Sequence, residues 1–178
     1  MKYFAYGSNM SRPRLVARVP GADRIGVFQL TAHALRFHKV SEDGSGKCDA
    51  LFTGRPEDCV IGVLFEISDS GKVSLDKAEG LGFGYQDKVV AVFDAQGNTF
   101  DAVTYYATRT DPALVPYSWY LYHVIYGAKE AELPAEYLAA IRAGAAVEDP
   151  DRERDARERG IYHWSADHRA RLDGMERC

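Results

Sequence analysis

The sequence has few cysteines, no surplus of positive charge and no long apolar run. Its 178 residues carry a formal net charge of −4 and a pI of about 5.7, which leaves no basic face for a nucleic-acid partner. No stretch approaches the ~20 apolar residues of a membrane span, and the apolar start is too short for a signal peptide. The three cysteines, Cys48, Cys59 and Cys178, match no disulfide framework. We therefore expect free thiols in a reducing, cytoplasmic compartment and no membrane partner.

The chain also lacks the common motifs of metal, nucleotide and serine chemistry. It contains no GxGxxG or GxxxxGK[ST] loop, and no serine lies in a GxSxG elbow. The histidines are His33, His38, His123, His163 and His168. No two of them have the i,i+4 spacing of a helical zinc motif, so we expect neither a metal nor a cofactor.

The apolar pattern that is present predicts one α+β domain with strands first and helices last. Strands are predicted over residues 3–6, 26–30, 35–40, 49–52, 60–67, 85–93 and 99–106. Helices are predicted from Ser11 to about Val19, from Ser68 to Gly80, and over residues 117–129, 134–143 and 151–159. Residues 94–98 predict a hairpin, and the polar residues 41–47 predict a mobile loop. Antiparallel strands of this number could close into a small barrel.

The segment Tyr6-Gly7-Ser8-Asn9 lies between a predicted strand and a predicted helix. In such a turn the backbone N–H groups point outward without partners, and the dipole of the helix favours an anion. The turn could hold a carboxylate, a phosphate or a developing oxyanion. The alternative is an ordinary strand-to-helix turn, which glycine also favours.

Glu79 is predicted to lie at the C-terminal end of a short helix, directly before Gly80. The helix dipole is unfavourable to a carboxylate there, so this position makes Glu79 a stronger base than a surface glutamate. We expect its carboxyl group to be partly buried. The alternative is a solvated glutamate at a frayed helix end.

Aromatic side chains recur along the predicted helix 117–129, at Trp119, Tyr120, Tyr122 and Tyr126. Aromatics at helical spacing usually pack in a core. One tyrosine hydroxyl could still face a pocket.

Three segments in this order resemble the γ-glutamylcyclotransferase family. They are Tyr3–Asn9 (YFAYGSN), Leu75–Tyr85 (LDxxEG followed by GY) and Gly127–Tyr137 (GAKE followed by LPxEY). Each segment is modest alone, but three at family-like spacing are specific, and the likeness reaches to about residue 142. It implies a small, mixed, mainly antiparallel β-barrel flanked by helices.

The resemblance also implies the residues of the site. Glu79 would be the catalytic residue, and the N-terminal loop would bind a γ-glutamyl group largely through its backbone. A tyrosine seven residues before Gly127 would contact substrate, with Tyr117 and Tyr122 as close alternatives. The residues so implied for substrate binding are Tyr3, Phe4, Ala5, Tyr6, Gly7, Ser8, Asn9 and Tyr120.

The activity implied by the resemblance is cyclisation of a γ-glutamyl group. The α-amine attacks the γ-amide carbonyl and releases 5-oxoproline with a free amine or amino acid. One carboxyl group can serve in turn as base and acid, so the partner is a small molecule and no cofactor is needed. Free γ-glutamyl amino acids, glutathione, a γ-glutamyl-lysine isopeptide and a γ-glutamylated metabolite all remain open, because they differ only in the leaving amine.

Two other functions compete with catalysis. The same fold could serve as a non-catalytic module that binds γ-glutamyl or carboxylate ligands, or as a protein-interaction domain that uses its aromatic helix. The presence of Glu79 beside Gly80 argues against the binding module. A homodimer is expected from the resemblance alone. Residues 146–178 lie outside the resemblance and are predicted to be a charged extension that packs on or flanks the domain of residues 1–145.

Overall fold

The computed structural model describes residues 1–162. The strands are β1 (Lys2–Ala5), β2 (Asp23–Thr31), β3 (His33–Val40), β4 (Gly46–Phe52), β5 (Cys59–Glu66), β6 (Tyr85–Phe93) and β7 (Thr99–Ala107). The helices are α1 (Arg12–Arg18), α2 (Asp69–Glu79), α3 (Ser118–Glu130) and α4 (Ala135–Arg142), with a 3-10 turn at Ser8–Met10 and a further helical stretch at 152–162. Three residues discussed above, His163, His168 and Cys178, lie outside the described residues. Within residues 1–162 no helix has the length and apolar content needed to cross a membrane.

Five strands close into a barrel in the order β1-β5-β2-β6-β7. Neighbouring strands are antiparallel except β1 and β7, which lie parallel and close the barrel where Tyr3 is paired with Val103. Strands β3 and β4 form a separate two-stranded antiparallel sheet. The prediction of an α+β fold with a mainly antiparallel barrel flanked by helices is confirmed.

The two-stranded sheet is attached to the barrel through Asp49 of β4. Its carboxylate accepts a hydrogen bond from the backbone N–H of Ala107 at 2.8 Å and lies 2.9 Å from Nε2 of His38. Asp49 is buried, so these contacts replace the water that the carboxylate loses. The sheet is thereby held against the end of β7.

Helix α3 crosses the 3-10 turn at very short range because residue 127 is glycine. A Cβ atom at Gly127 would lie 2.4 Å from the backbone nitrogen of Ser11 and 2.8 Å from Cβ of Met10. Only a residue without a side chain allows this approach. The crossing brings Tyr120, on the same helix, to the loop that follows β1.

Some local predictions need correction. The loop predicted at 41–47 is shorter, because Gly46 and Lys47 already belong to β4. Asp43 tightens the turn by accepting hydrogen bonds from Ser45 N at 3.0 Å and from Lys47 Nζ at 2.7 Å. Ser11 occupies the N-cap of α1, but its side chain makes no capping hydrogen bond.

Candidate active site

A small cleft opens where the end of β1, the 3-10 turn, the end of α2 and strand β4 meet. Tyrosines dominate its walls. The lining residues are Tyr3, Tyr6, Gly7, Ser8, Asn9, Cys48, Glu79, Tyr85, Tyr105 and Tyr120. Most of the residues predicted for the site therefore line one cleft, although they come from segments up to 117 residues apart (Tyr3 and Tyr120).

The turn at Gly7 and Ser8 lines this cleft. Among the hydrogen bonds within residues 1–162, none has the N–H of Gly7 or Ser8 as its donor. Gly7 also passes close to β4, since a Cβ atom there would lie 3.0 Å from Cβ of Cys48 and 3.4 Å from the Tyr120 hydroxyl. A side chain at residue 7 would crowd Cys48, and the unbonded N–H groups of Gly7 and Ser8 make the turn suited to an anion.

Glu79 is the last residue of α2, and the chain leaves the helix through Gly80 in the left-handed conformation (φ 66°). This geometry ends the helix so that the Glu79 side chain meets the 3-10 turn. Its side chain is 16% exposed, which agrees with the expectation of partial burial. Oε1 accepts hydrogen bonds from Asn9 Nδ2 at 2.8 Å and from Arg18 Nη1 at 3.1 Å.

The second carboxylate oxygen of Glu79 is left available. Neither Asn9 nor Arg18 bonds to Oε2, and no other group within the described part of the chain does so. The carboxyl group is thus anchored through one oxygen and can meet a ligand with the other. This arrangement suits an acid–base group that must keep a constant orientation.

The sequence did not indicate Arg18 as a site residue, because it is only a basic residue in the last turn of a short helix. Its Nη1 also donates to Oδ1 of Asn9 at 3.0 Å, so one guanidinium nitrogen joins Asn9 and Glu79. Arg18 therefore contacts both side chains at once and links the end of α1 to the end of α2.

The side chain of Asn9 is engaged by the protein itself. Besides its bond to Glu79, Nδ2 lies 3.1 Å from the hydroxyl of Tyr3, and Oδ1 accepts from Arg18. These contacts orient Glu79 and leave Asn9 few free groups for a ligand. The substrate-binding role that the resemblance implies for Asn9 stays a prediction, and the contacts of its side chain are with Tyr3, Glu79 and Arg18.

Strand β4 is fastened to the cleft by two tyrosines. The hydroxyl of Tyr120 accepts a hydrogen bond from Cys48 N at 3.1 Å, and the hydroxyl of Tyr85 donates to Cys48 O at 2.5 Å.

Of the three tyrosines considered from the sequence, Tyr120 lines the cleft, whereas Tyr117 donates to Asp43 O and Tyr122 packs against Tyr162. Tyr85 lay in one of the recognised segments but was not identified as a site residue.

Phe4 and Ala5 are placed differently from the other predicted site residues. Both are fully buried in the barrel, and neither lines the cleft. The carbonyl oxygen of Phe4 accepts a hydrogen bond from the Thr104 hydroxyl at 2.9 Å. Their side chains support the course of β1, and the part of their backbone in substrate binding stays a prediction.

Burial keeps the cleft hydroxyls and thiol neutral. It raises the pKa of Tyr3, Tyr6, Tyr85 and Tyr120 well above the ordinary value, and it raises the pKa of Cys48 to about 12. A thiol with so high a pKa is a poor nucleophile at neutral pH. Among the residues that line the cleft, Glu79 is thus the one carboxylate, and Arg18 is its ion-pair partner.

No metal-binding cluster of three or more His, Cys, Asp or Glu side chains occurs within residues 1–162. The chemistry that the arrangement supports is proton transfer by one carboxyl group next to a turn of amide donors.

Comparison with known proteins places the chain among relatives of the same architecture. The family model described as the AIG2-like family matches residues 59–141. The gamma-glutamylcyclotransferase of Bos taurus is 35% identical over 140 residues, which cover 76% of this chain and 73% of that protein. The Homo sapiens gamma-glutamylcyclotransferase is 34% identical over 146 residues, which cover 79% of this chain and 77% of that protein.

A solved structure of similar sequence has the same fold. A gamma-glutamyl cyclotransferase with 29% sequence identity superposes with a TM-score of 0.75, covering 82% of this chain and 88% of that one. The barrel and its flanking helices therefore define a protein of the γ-glutamylcyclotransferase-like fold. The chain belongs to the γ-glutamylcyclotransferase family of enzymes.

Proposed function

We propose that this enzyme cyclises a γ-glutamyl group to 5-oxoproline and releases the amine on the other side of the γ-amide, with Glu79 moving the protons. One observation carries the proposal. Oε2 of Glu79 and the N–H groups of Gly7 and Ser8 make no hydrogen bond within residues 1–162, and these three residues line the same cleft. The family relationship supports the reaction, and the geometry supports these roles.

The reaction begins with the ionised carboxylate that Arg18 and Asn9 stabilise. Glu79 takes a proton from the substrate's α-ammonium, and the resulting amine attacks the γ-carbonyl carbon. Glu79 gives this first proton to the leaving nitrogen. It then takes the second proton that the attacking nitrogen loses as the ring closes and passes it to the same leaving nitrogen, which departs as R–NH3+. The new N–C bond completes the lactam, the old C–N bond breaks, and the products are 5-oxoproline and an ammonium ion.

The attack places negative charge on the γ-carbonyl oxygen. The amides of Gly7 and Ser8 are suited to stabilise that oxyanion, and one donor of this kind contributes roughly 3–4 kcal/mol. Since nucleophile and carbonyl lie in one molecule, the cleft mainly has to hold the substrate in its folded, reactive shape. The buried tyrosine side chains that line the cleft give it fixed walls for this purpose.

The decisive experiment measures 5-oxoproline released by the purified protein from γ-glutamyl compounds. We expect turnover by the wild type and a loss of at least ~10²-fold in kcat for Glu79→Gln, because the amide keeps the shape of the side chain but cannot take a proton. The matched control is Glu57→Gln, an exposed glutamate in the turn between β4 and β5. Its activity should equal that of the wild type.

Two results would contradict the proposal. Wild-type rates from Glu79→Gln would remove Glu79 from the proton-transfer role. Binding of γ-glutamyl compounds without any 5-oxoproline would instead indicate the non-catalytic module considered above. A cytoplasmic location and a homodimer remain predictions.

A further inference from the structure

The last turn of α2, which ends at Glu79, has little apolar anchoring. The buried residues of this helix are Gly71 and Leu75. Residues 76–79 follow Leu75, and none of them is buried. Because helix ends fray where packing does not hold them, polar contacts have to fix the direction of this turn.

Asp76 joins this turn to the barrel. It lies three positions before Glu79, so the two side chains are neighbours on the surface of the helix. Oδ1 of Asp76 accepts a hydrogen bond of 2.6 Å from the hydroxyl of Tyr105 on β7. The carbonyl oxygen of Asp76 accepts another, of 2.9 Å, from the N–H of Leu81, just after the helix ends. One residue thus ties the turn to the barrel and closes the end of the helix.

Lys72 supports the same carboxylate from one turn earlier in α2. Its Nζ donates to Oδ1 of Asp76 and, at 2.9 Å, to Oδ2 of Asp87 on β6. The ammonium also lies 5.4 Å from the ring centroid of Tyr105. The charged groups therefore tie α2 to both β6 and β7, and hydrogen bonds between charged groups are directional as well as strong.

Tyr105 belongs to the cleft itself. It is 3% exposed and lines the cleft, where its ring packs edge-on against Tyr3 with centroids 5.9 Å apart. Its backbone oxygen accepts a hydrogen bond of 2.6 Å from the hydroxyl of Tyr6. Burial and the nearby Asp76 carboxylate raise the pKa of Tyr105, so its hydroxyl remains a neutral donor.

Tyr3 connects Tyr105 to Glu79 by a second route. The hydroxyl of Tyr3 lies 3.1 Å from Nδ2 of Asn9, and the same nitrogen donates to Oε1 of Glu79 at 2.8 Å. Tyr105 is thus linked to Glu79 along α2, through Asp76, and across the cleft, through Tyr3 and Asn9. Since the hydroxyl of Tyr105 is bonded to Asp76, it acts on Glu79 through other residues.

We propose that Asp76 and Tyr105 are positioning residues, whose hydrogen bond holds the last turn of α2 in the orientation that brings Glu79 to the substrate. The inference rests on the proposed function. It gives a role to the aspartate of the LDxxEG segment, although neither residue exchanges a proton with substrate. A catalytic group that is misplaced by about 1 Å can lose about 10²-fold in rate, so the effect should fall on kcat more than on KM.

The first test measures 5-oxoproline released from γ-glutamyl-L-alanine and from glutathione by Tyr105→Phe, which removes the hydroxyl and keeps the ring. We expect kcat to fall by about tenfold, with KM changed by less than about threefold. Rates are expressed per folded protein, which circular dichroism measures. The matched control is Tyr106→Phe, the next tyrosine of β7, whose hydroxyl donates to Gln86 at 2.9 Å. It should behave as wild type.

The second test uses two substitutions of similar size at Asp76. Asp76→Asn keeps an oxygen that can accept from the Tyr105 hydroxyl and should retain most of the activity. Asp76→Leu has no acceptor and should lose about tenfold in kcat. The double variant of Asp76→Leu and Tyr105→Phe should lose no more than the weaker single variant, because both changes break the same bond.

Each other outcome has a definite meaning. A wild-type kcat for Tyr105→Phe overturns the inference. Losses that multiply in the double variant also overturn it, because the Tyr105 hydroxyl would then act on the substrate directly. If Tyr105→Phe does not fold, equal kcat values for Asp76→Asn and Asp76→Leu overturn the inference and a tenfold difference supports it. Absence of 5-oxoproline from the wild type with both compounds rejects the proposed function, and this inference with it.

Discussion

At the scale of single residues, the catalytic proposal depends on how one carboxylate is held. Asn9 and Arg18 both bond to Oε1 of Glu79 and to each other, which forms a closed set of three contacts. Charge-assisted hydrogen bonds of this kind are directional as well as strong. The asparagine of the YGSN segment thereby acquires a physical role, which is to orient the carboxyl group.

Removing the guanidinium should weaken catalysis more than it weakens the fold. We expect Arg18→Met to lower kcat/KM by about 10-fold or more, because losing hydrogen bonds to a charged group costs about 1.5–3 kcal/mol. Arg18→Lys should recover part of the activity, since it restores the charge without the fork that reaches both partners. Steady-state kinetics with a γ-glutamyl substrate measure the effect.

The control for this experiment is Arg12→Met, an exposed arginine at the other end of the same helix. It should keep the activity of the wild type. A full-rate Arg18→Met enzyme would mean that Asn9 alone suffices to hold Glu79.

At the scale of secondary-structure elements, the close crossing of α3 over the 3-10 turn sets the shape of the cleft. Gly127 opens the GAKE segment, and its missing side chain lets the helix touch the backbone at Met10 and Ser11. The same helix carries Tyr120 into the cleft. Packing therefore explains the glycine of the GAKE segment. The residues of the YGSN segment, in contrast, line the cleft.

Two glycine substitutions should change stability in opposite directions. Gly127→Ala should lower the free energy of unfolding by about 1–3 kcal/mol, because the added methyl group overlaps backbone atoms that cannot move freely. Gly160→Ala should raise it by about 0.5–1 kcal/mol, since that position is helical and has no atom near the new methyl group. Urea unfolding followed by circular dichroism measures both, and shifts of the same sign would contradict this account of the crossing.

At the scale of the whole molecule, the segment after α4 packs on α3. Asp149 accepts a hydrogen bond from Trp119 Nε1 at 2.6 Å and forms two with Arg154, each of 2.6 Å. Farther along, the Tyr162 ring stacks on Tyr126 with centroids 3.9 Å apart. The division between residues 1–145 and 146–178 remains a prediction, and the described part of the extension contacts the domain over several turns of helix.

A buried cluster of ionisable groups forms where this segment meets α1 and α3. Glu158 lies 2.7 Å from Arg14 and 3.1 Å from Nε2 of His123, and the Tyr162 hydroxyl lies 2.6 Å from Nδ1 of the same imidazole. Burial lowers the pKa of His123 to about 4. The hydrogen bond with His123, helped by Arg14, lowers the pKa of Glu158 to about 2.

This cluster should make the protein sensitive to acid. Between about pH 6.5 and 4 the unfolded chain binds a proton at His123 that the folded chain does not, so stability rises with pH by about 1.4 kcal/mol per pH unit for this proton. The contribution of Glu158 is present above its unfolded pKa and is lost as the pH falls towards 2. Urea unfolding at several pH values should show a shallower dependence between pH 4 and 6.5 for His123→Gln, and equal slopes would contradict the assignment.

The sequence by itself determined the elements and the two chemical centres of the site. Strands, helices and the hairpin at residues 94–98 follow from local periodicity and turn residues, which act over a few neighbours. The glycine turn at Gly7 and the helix-end position of Glu79 are likewise local features. The three segments that resemble the family predicted that Gly7 and Glu79 lie together. In the structure both line one cleft.

Only the tertiary structure decided which side chains contact Glu79 and the turn at Gly7. The parallel contact that closes the barrel and the bonds from Arg18 and Asn9 to Glu79 depend on segments that are distant in sequence. The burial of Phe4 and Ala5 depends on the same long-range packing. Local patterns contain no information on such contacts, because burial and charge compensation arise only when the chain has folded and neighbouring segments have replaced water.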